Sequence, residues 1–173
     1  MDDAPTRTIE GSCRFRRLRR FGFPVEELVD ADGRVAALGR DGSLRMFFGS
    51  GRRVVPADGA EWRIKSMTSG RHIVPIITSP EGTIAISGPL HARRSYGING
   101  RDYGLTLIPM GRTGFRSSGE WVLRRHEDPI AVIDDRARTV RADEPVALSA
   151  VVMAFTLITH GIPGEGDPMP RRD

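Results

Sequence analysis

The stretch EPVALSAVVMAFTLITHGIP, residues 144–163, decides the fold of this chain. From residue 146 to residue 159 it has no charged side chain, and only Ser149, Thr156 and Thr159 carry hydroxyls. An amphipathic surface helix needs a polar stripe at 3.6-residue spacing, which is missing here. A membrane-spanning helix needs roughly 20 apolar residues, more than this run provides. A helix in this stretch must therefore be enclosed by the rest of the protein.

The same stretch predicts where the helix begins and ends. Ala, Leu, Val, Met and Phe without an internal Gly or Pro favour a helix over a strand at this length. Asp143 or Glu144 beside Pro145 is typical of a capping acid followed by a proline in the first turn. Gly161 and Pro163 are typical of residues that end a helix. We therefore expect one helix over residues 144–160.

Short alternating segments, separated by turn signals such as Asp32-Gly33, fill the chain before this helix. In one of them Trp62 and Ile64 share a face, and Lys65 lies on the other. A sheet of this kind has an apolar face that needs a core, and edges that closure removes. We predict a mainly β fold, a closed antiparallel barrel of about 10–12 short strands that encloses the C-terminal helix. The alternative is a sandwich with the helix on one side, which leaves half of the helix in water.

The length of 173 residues suits one domain with a sizeable core. We expect a basic, partly flexible N-terminal arm over residues 1–21, a single barrel domain over 22–163 and a disordered tail over 164–173. The single cysteine, Cys13, excludes an internal disulfide and a cysteine-rich zinc site, and it fits a reducing compartment. The polar, acidic N-terminus predicts no signal peptide, so the expected location is cytoplasmic, with peripheral contact to a membrane.

The strand-and-turn units DADGR (residues 30–34) and SPEGT (79–83), followed by the acid-Pro pair and the wholly apolar helix, resemble the Tubby C-terminal-like superfamily. That superfamily includes the LURP-one-related proteins and the phospholipid scramblases. The resemblance extends over about residues 22–163. It implies a non-enzymatic barrel, which in some members binds anionic lipid head groups. The chain departs from the scramblases because it has no cysteine cluster, and Arg34 stands where a calcium loop needs a ligand oxygen.

Motifs that carry catalysis are missing from the sequence. There is no phosphate-binding loop of the G-x-x-x-x-G-K-[ST] type and no G-x-S-x-G nucleophile turn. The four histidines have no ligand spacing, so we expect no catalytic residue, metal or cofactor. The glycine-rich segment YGINGRDYG, residues 96–104, predicts a hairpin with Asn99-Gly100 at its tip and Tyr96 paired with Tyr103. An anion cradle of backbone amides is the alternative for this segment.

Charge is the remaining functional signal. Residues 31–141 carry 18 basic and 11 acidic side chains, whereas residues 142–173 carry two and five, so the barrel wall is the positive part. The segment RFRRLRRFGF interleaves arginines with apolar anchors, a pattern that can bind phosphates. The predicted anion-binding residues are Arg52, Arg53, Arg93, Arg94, Arg14, Arg16, Arg17, Arg19 and Arg20. Two other interpretations stay open. The arm is a docking strand or a solvated tail, or the excess of 25 Arg over one Lys is compositional.

These observations predict a non-enzymatic binding or scaffold module. Its basic barrel face would dock anionic lipid head groups or an acidic protein partner. The alternative is a nucleic-acid-associated protein that uses the N-terminal arginines. Only 6% of the residues are aromatic, which offers bases few stacking platforms, so nucleic acid is the less favoured partner.

Overall fold

The computed structural model describes residues 7–20, 23–40, 52–57, 59, 61–69, 72–89, 95–110 and 119–160. The expected tail over residues 164–173 lies outside these ranges. The described residues form twelve strands and one helix: β1 (Thr8–Arg20), β2 (Phe23–Asp30), β3 (Gly33–Arg40), β4 (Arg52–Pro56), β5 (Trp62–Ser69), β6 (His72–Ser79), β7 (Gly82–Pro89), β8 (Tyr96–Gly100), β9 (Gly104–Pro109), β10 (Glu120–Arg125), β11 (Asp128–Asp134), β12 (Thr139–Ala147) and α1 (Leu148–His160).

The strands form a closed antiparallel barrel, as the alternation predicts. Each strand pairs with the next one in the chain, and β1 pairs with β12 to complete the ring. Tight turns join many of the neighbours. In the turn between β2 and β3, Oδ1 of Asp30 accepts the amide hydrogens of Asp32 and Gly33 at 2.9 Å each. Gly33 has φ of 130°, a conformation that side chains rarely adopt and that glycine takes freely.

Helix α1 fills the barrel and is enclosed on all sides, as its composition predicts. Val151 and Phe155 are fully buried, and so are Ala150 and Ala154 on other faces of the helix. Only Ile158 and Thr159 near its end, among the described positions, are half-buried. Small residues on the inner wall, among them Ala85, Gly100 and Ala142, leave room for the helix and are themselves at least half-buried. This packing replaces the water-filled interior that a barrel of twelve strands would otherwise have.

The predicted start of the helix is wrong. Glu144 and Pro145 belong to β12, and the helix begins three residues later at Leu148. The β1–β12 register shifts between Ile9 and Gly11, so this part of β12 has no paired residue on β1. Proline, which lacks an amide hydrogen, is tolerated in a sheet at such an irregularity. The same acid-Pro pair suits a helix cap equally well, and the local sequence does not distinguish a helix cap from an irregularity in a strand.

The separate N-terminal arm is also a wrong expectation, because residues 8–20 form the barrel strand β1. This strand pairs with β12 over its first half and with β2 over its second half. Cys13 and Phe15 alternate with exposed neighbours and are buried in the core. The interleaving of arginine with apolar residues is therefore the in–out alternation of a wall strand. The barrel domain begins before residue 22.

The hairpin between β8 and β9 differs from its prediction. Asn99 and Gly100 lie within β8, and the turn is formed by the three residues that follow. Tyr96 pairs with Leu107 and not with Tyr103. A Cβ atom at Gly100 would overlap the ring of Tyr103, so this glycine is needed for close approach of the ring. The hydroxyl of Tyr103 lies 2.7 Å from Oγ of Ser149 on α1, which ties the turn to the helix.

Candidate anion-binding surface

The arginines predicted on the N-terminal arm occupy successive positions of β1. Arg14, Arg16 and Arg17 are exposed there. Arg19 and Arg20 continue the strand, where their backbones pair with Pro24 and Phe23 of β2. The structure thus brings all five into one strand of the wall. Strand β2 carries acids directly opposite two of them, and this pairing decides which arginines are available to a ligand.

Arg16 and Arg17 are neutralised by glutamates of β2. The register places Arg16 opposite Glu27 and Arg17 opposite Glu26. Nη2 of Arg16 donates to Oε2 of Glu27 at 3.0 Å, and Glu27 is only 3% exposed. Breaking an ion pair of a buried carboxylate is strongly destabilising, so the pair between Arg16 and Glu27 stabilises the folded state. Nη2 of Arg17 lies 3.7 Å from Oε1 of Glu26, and the Arg17 side chain is mostly exposed. This ion pair is therefore weaker.

Glu26 also binds Arg138, and together they cover one end of the core. Nη2 of Arg138 donates to Oε1 of Glu26 at 2.8 Å. The guanidinium lies 5.2 Å from the ring centre of Phe155. That ring stacks on Phe15 with 3.5 Å between the centroids. A cation over an aromatic face is attracted by the ring quadrupole, so Arg138 stabilises the packing of the helix against β1.

Of the predicted anion-binding residues Arg52, Arg53, Arg93 and Arg94, the structure describes the first two, so a site formed by all four stays a prediction. Arg93 and Arg94 lie outside the described residues. The backbone of Arg52 pairs with Ile64 on β5. Arg53 is exposed and forms an ion pair with Glu61, which also lies 3.5 Å from Nε of Arg63. One carboxylate thus serves two arginines that face each other across β4 and β5.

A second group of cationic residues lies on the outer wall where β1 and β12 meet. A groove of about 430 Å³ runs over this junction, and we call it the seam groove. Its lining comes from β1, β2 and β12 and includes Ser12, Arg14, Val29, Asp30, Thr139 and Arg141. Ser12 pairs with Arg141, and Arg14 pairs with Thr139. Each pair therefore places an arginine opposite a hydroxyl-bearing residue.

The two arginines of the seam groove have weak partners or none. No ion pair to Arg14 exists within the described part of the chain. Nε of Arg141 lies 3.7 Å from Oδ1 of Asp143, and both side chains are about two-thirds exposed. Exposed pairs at this distance contribute little stability, so a stronger anion can compete for Arg141. Arg34 on β3 is a further exposed cation. It lies two strands from Arg14, and Val29 on the strand between them pairs with both.

The seam groove also borders Cys13, whose side chain is buried. Burial raises the pKa of this thiol above its usual value, and the nearby Asp30 carboxylate raises it further. A thiol held in its protonated form is a poor nucleophile and a poor metal ligand. Among the described residues no group of three or more His, Cys, Asp or Glu side chains is placed to hold a metal ion. The seam groove is therefore suited to bind a ligand through the charges of its arginines and the hydrogen bonds of its hydroxyl groups.

Sequence reasoning identified Arg14 but missed Ser12, Thr139 and Arg141. Their positions are adjacent only because β1 and β12, far apart in the chain, pair to close the barrel. The alternation of the segment TVRA, residues 139–142, was the available signal. It places Thr139 and Arg141 on the outer face and Val140 on the inner one.

Comparison of the chain with protein-family models, with curated proteins and with solved structures finds no match. Within the described residues, the single helix is too short to cross a bilayer.

Proposed function

We propose that this protein is a non-enzymatic binding module that docks on anionic lipid head groups through the seam groove. One observation carries the proposal. Arg14 and Arg141 lie on adjacent strands, each paired with a hydroxyl-bearing residue, and neither forms a strong ion pair with another residue that the structure describes. Guanidinium groups match the geometry of phosphate oxygens, and serine and threonine hydroxyls add neutral donors.

Three further features support this function. The net positive charge lies in residues 31–141, which form most of the wall. Helix α1 fills the barrel interior, where many barrel proteins hold a substrate or other ligand, so the outer wall is left for recognition. The resemblance to the Tubby C-terminal-like superfamily, which we keep as part of the proposal, implies head-group binding in some members.

The nucleic-acid alternative is less well supported. It needs an arm of arginines that projects from the domain, whereas residues 8–20 are a wall strand. Two of the arginines also face glutamates across the β1–β2 pairing. An acidic protein partner would use the same groove, and we treat it as an outcome of the test.

The test compares binding to anionic phosphatidylglycerol vesicles and to neutral phosphatidylcholine vesicles by flotation. Arg14→Ala with Arg141→Ala removes two charges from the groove. The matched control, Lys65→Ala with Arg124→Ala, removes two exposed charges elsewhere on the wall. Each arginine near an anionic surface contributes about 1 kcal/mol, so the groove variant should bind about 30-fold more weakly. The control should lose much less, and circular dichroism should show that both variants are folded.

Equal binding of the wild type to anionic and neutral vesicles would reject the lipid proposal. Equal losses in the two double variants would show that net charge, and not the groove, is responsible. Groove-dependent binding to oligonucleotides with a steep salt dependence, without binding to vesicles, would favour the nucleic-acid class. Groove-dependent binding to an acidic peptide alone would favour a protein partner.

A further inference from the structure

The seam groove contains one carboxylate among its cationic side chains. Asp30 lies at the end of β2 and lines the groove together with Arg14 and Arg141. Its Oδ1 accepts two amide hydrogens of the β2–β3 turn. Its Oδ2 has no hydrogen-bond partner among the described residues. These three side chains together carry a single net positive charge.

A carboxylate in this position disfavours a ligand with several negative charges. It would repel a second phosphate, because like charges in one site raise the cost of binding. The same carboxylate attracts a cation that is covalently attached to the phosphate. An ammonium group donates hydrogen bonds to a carboxylate oxygen, and the charge assistance strengthens them.

We infer that the seam groove selects a phosphate ester that carries a nearby ammonium group. The phosphate binds Arg14 and Arg141 with the hydroxyls of Ser12 and Thr139, and the ammonium binds Asp30. A volume of about 430 Å³ is within the range of sites for small ligands. This inference rests on the proposed function, and it makes Asp30 the residue that determines specificity. The same chemistry occurs in a free amino-alkyl phosphate and in an amino-bearing lipid head group.

The first arm of the test uses two soluble ligands of nearly equal shape. Phosphoethanolamine has an ammonium group where propyl phosphate has a methyl group. Calorimetry should show that the wild type binds phosphoethanolamine about fivefold more tightly, the effect of one exposed ion pair. Asp30→Asn should abolish this preference. The asparagine side-chain oxygen still accepts the two turn amides, so the turn is kept.

The second arm uses vesicles with equal content of phosphatidylglycerol. Their remaining lipid is either phosphatidylethanolamine or phosphatidylcholine, whose quaternary ammonium has no hydrogen to donate. Preference for the ethanolamine vesicles, lost in Asp30→Asn, identifies a lipid head group as the source. Preference for soluble phosphoethanolamine without any preference between vesicles identifies a free ester. Asp30→Ser, which also keeps an acceptor oxygen, should repeat the result of Asp30→Asn.

The outcomes separate this inference from the function on which it rests. If the wild type binds both soluble ligands equally, and Asp30→Asn changes neither affinity, the role of Asp30 is wrong while groove binding stands. If the wild type binds neither soluble ligand nor either kind of vesicle, both the groove function and the selectivity are wrong.

Discussion

Replacing Phe155 with alanine should destabilise the barrel by about 3–5 kcal/mol, the usual cost of removing a buried phenylalanine ring and leaving a cavity. The ring is fully buried, stacks on Phe15 at 3.5 Å between centroids and lies 5.2 Å below the Arg138 guanidinium. A small domain is stable by about 5–15 kcal/mol, so the variant should lose a large part of its stability.

Two further variants divide this loss into its causes. Phe155→Leu keeps most of the apolar volume and removes the ring contacts, which contribute about 0.5–1.5 kcal/mol for the aromatic pair and about 0.5–1 kcal/mol for the cation. A double-mutant cycle of Phe155→Leu with Phe15→Leu should give a coupling energy of about 0.5–1.5 kcal/mol.

The assay is urea denaturation followed by tryptophan fluorescence and by far-ultraviolet circular dichroism, with the two probes required to coincide. A loss below about 1 kcal/mol for Phe155→Ala would contradict the enclosure of the helix, because surface substitutions lie within about 0.5 kcal/mol. A coupling energy of zero would contradict the stacking of the two rings.

Two further predictions concern polar groups. Burial raises the pKa of Tyr103 above its ordinary value of 10.0, so the unfolded chain loses this proton at lower pH than the folded barrel. The contribution of Tyr103 to stability should therefore be constant below about pH 10 and fall as the pH rises further. Urea midpoints measured from pH 8 to 11 should fall less steeply in Tyr103→Phe, and parallel curves would contradict the buried hydroxyl. Arg16→Ala should cost about 1 kcal/mol or more because it removes one charged partner of the buried Glu27, whereas Arg14→Ala should change stability by less than about 0.5 kcal/mol. Similar denaturation midpoints for these two variants would show that the Arg16–Glu27 pair does not support the fold.

The enclosed helix could be predicted from the sequence because every face of the helix is apolar. Met153 and Phe155, two residues apart, lie on opposite sides of α1, and both are apolar and fully buried. An arrangement with one side of the helix in water would expose apolar side chains. The closed barrel is therefore favoured over the sandwich, which leaves half of the helix in water.

The start of the helix and the seam groove could not be predicted in the same way, because both depend on pairing between strands that are distant in the sequence. Pro145 suits a helix start and a strand irregularity equally, and only the register of β1 on β12 decides between them. The pairing of Arg16 with Glu27 depends on the register between β1 and β2. Ser12 and Arg141 meet only when the ring of strands closes. A single sequence contains these residues, but the strand register that brings them together cannot be read from it.

The closure of the ring by β1 and β12 also determines when the chain can fold. Thr8 pairs with Ala147, near the opposite end of the described chain, so the first strand lacks a neighbour on one side until the last strand has been synthesised. The helix that fills the interior follows that strand, so the nascent wall has no core during translation. Such a high contact order slows folding to the range of milliseconds to seconds and leaves strand edges open to aggregation in the meantime. The barrel can therefore close only after β12 and α1 have been synthesised, and its strand edges stay unpaired for longer than any part of a helical bundle of equal length.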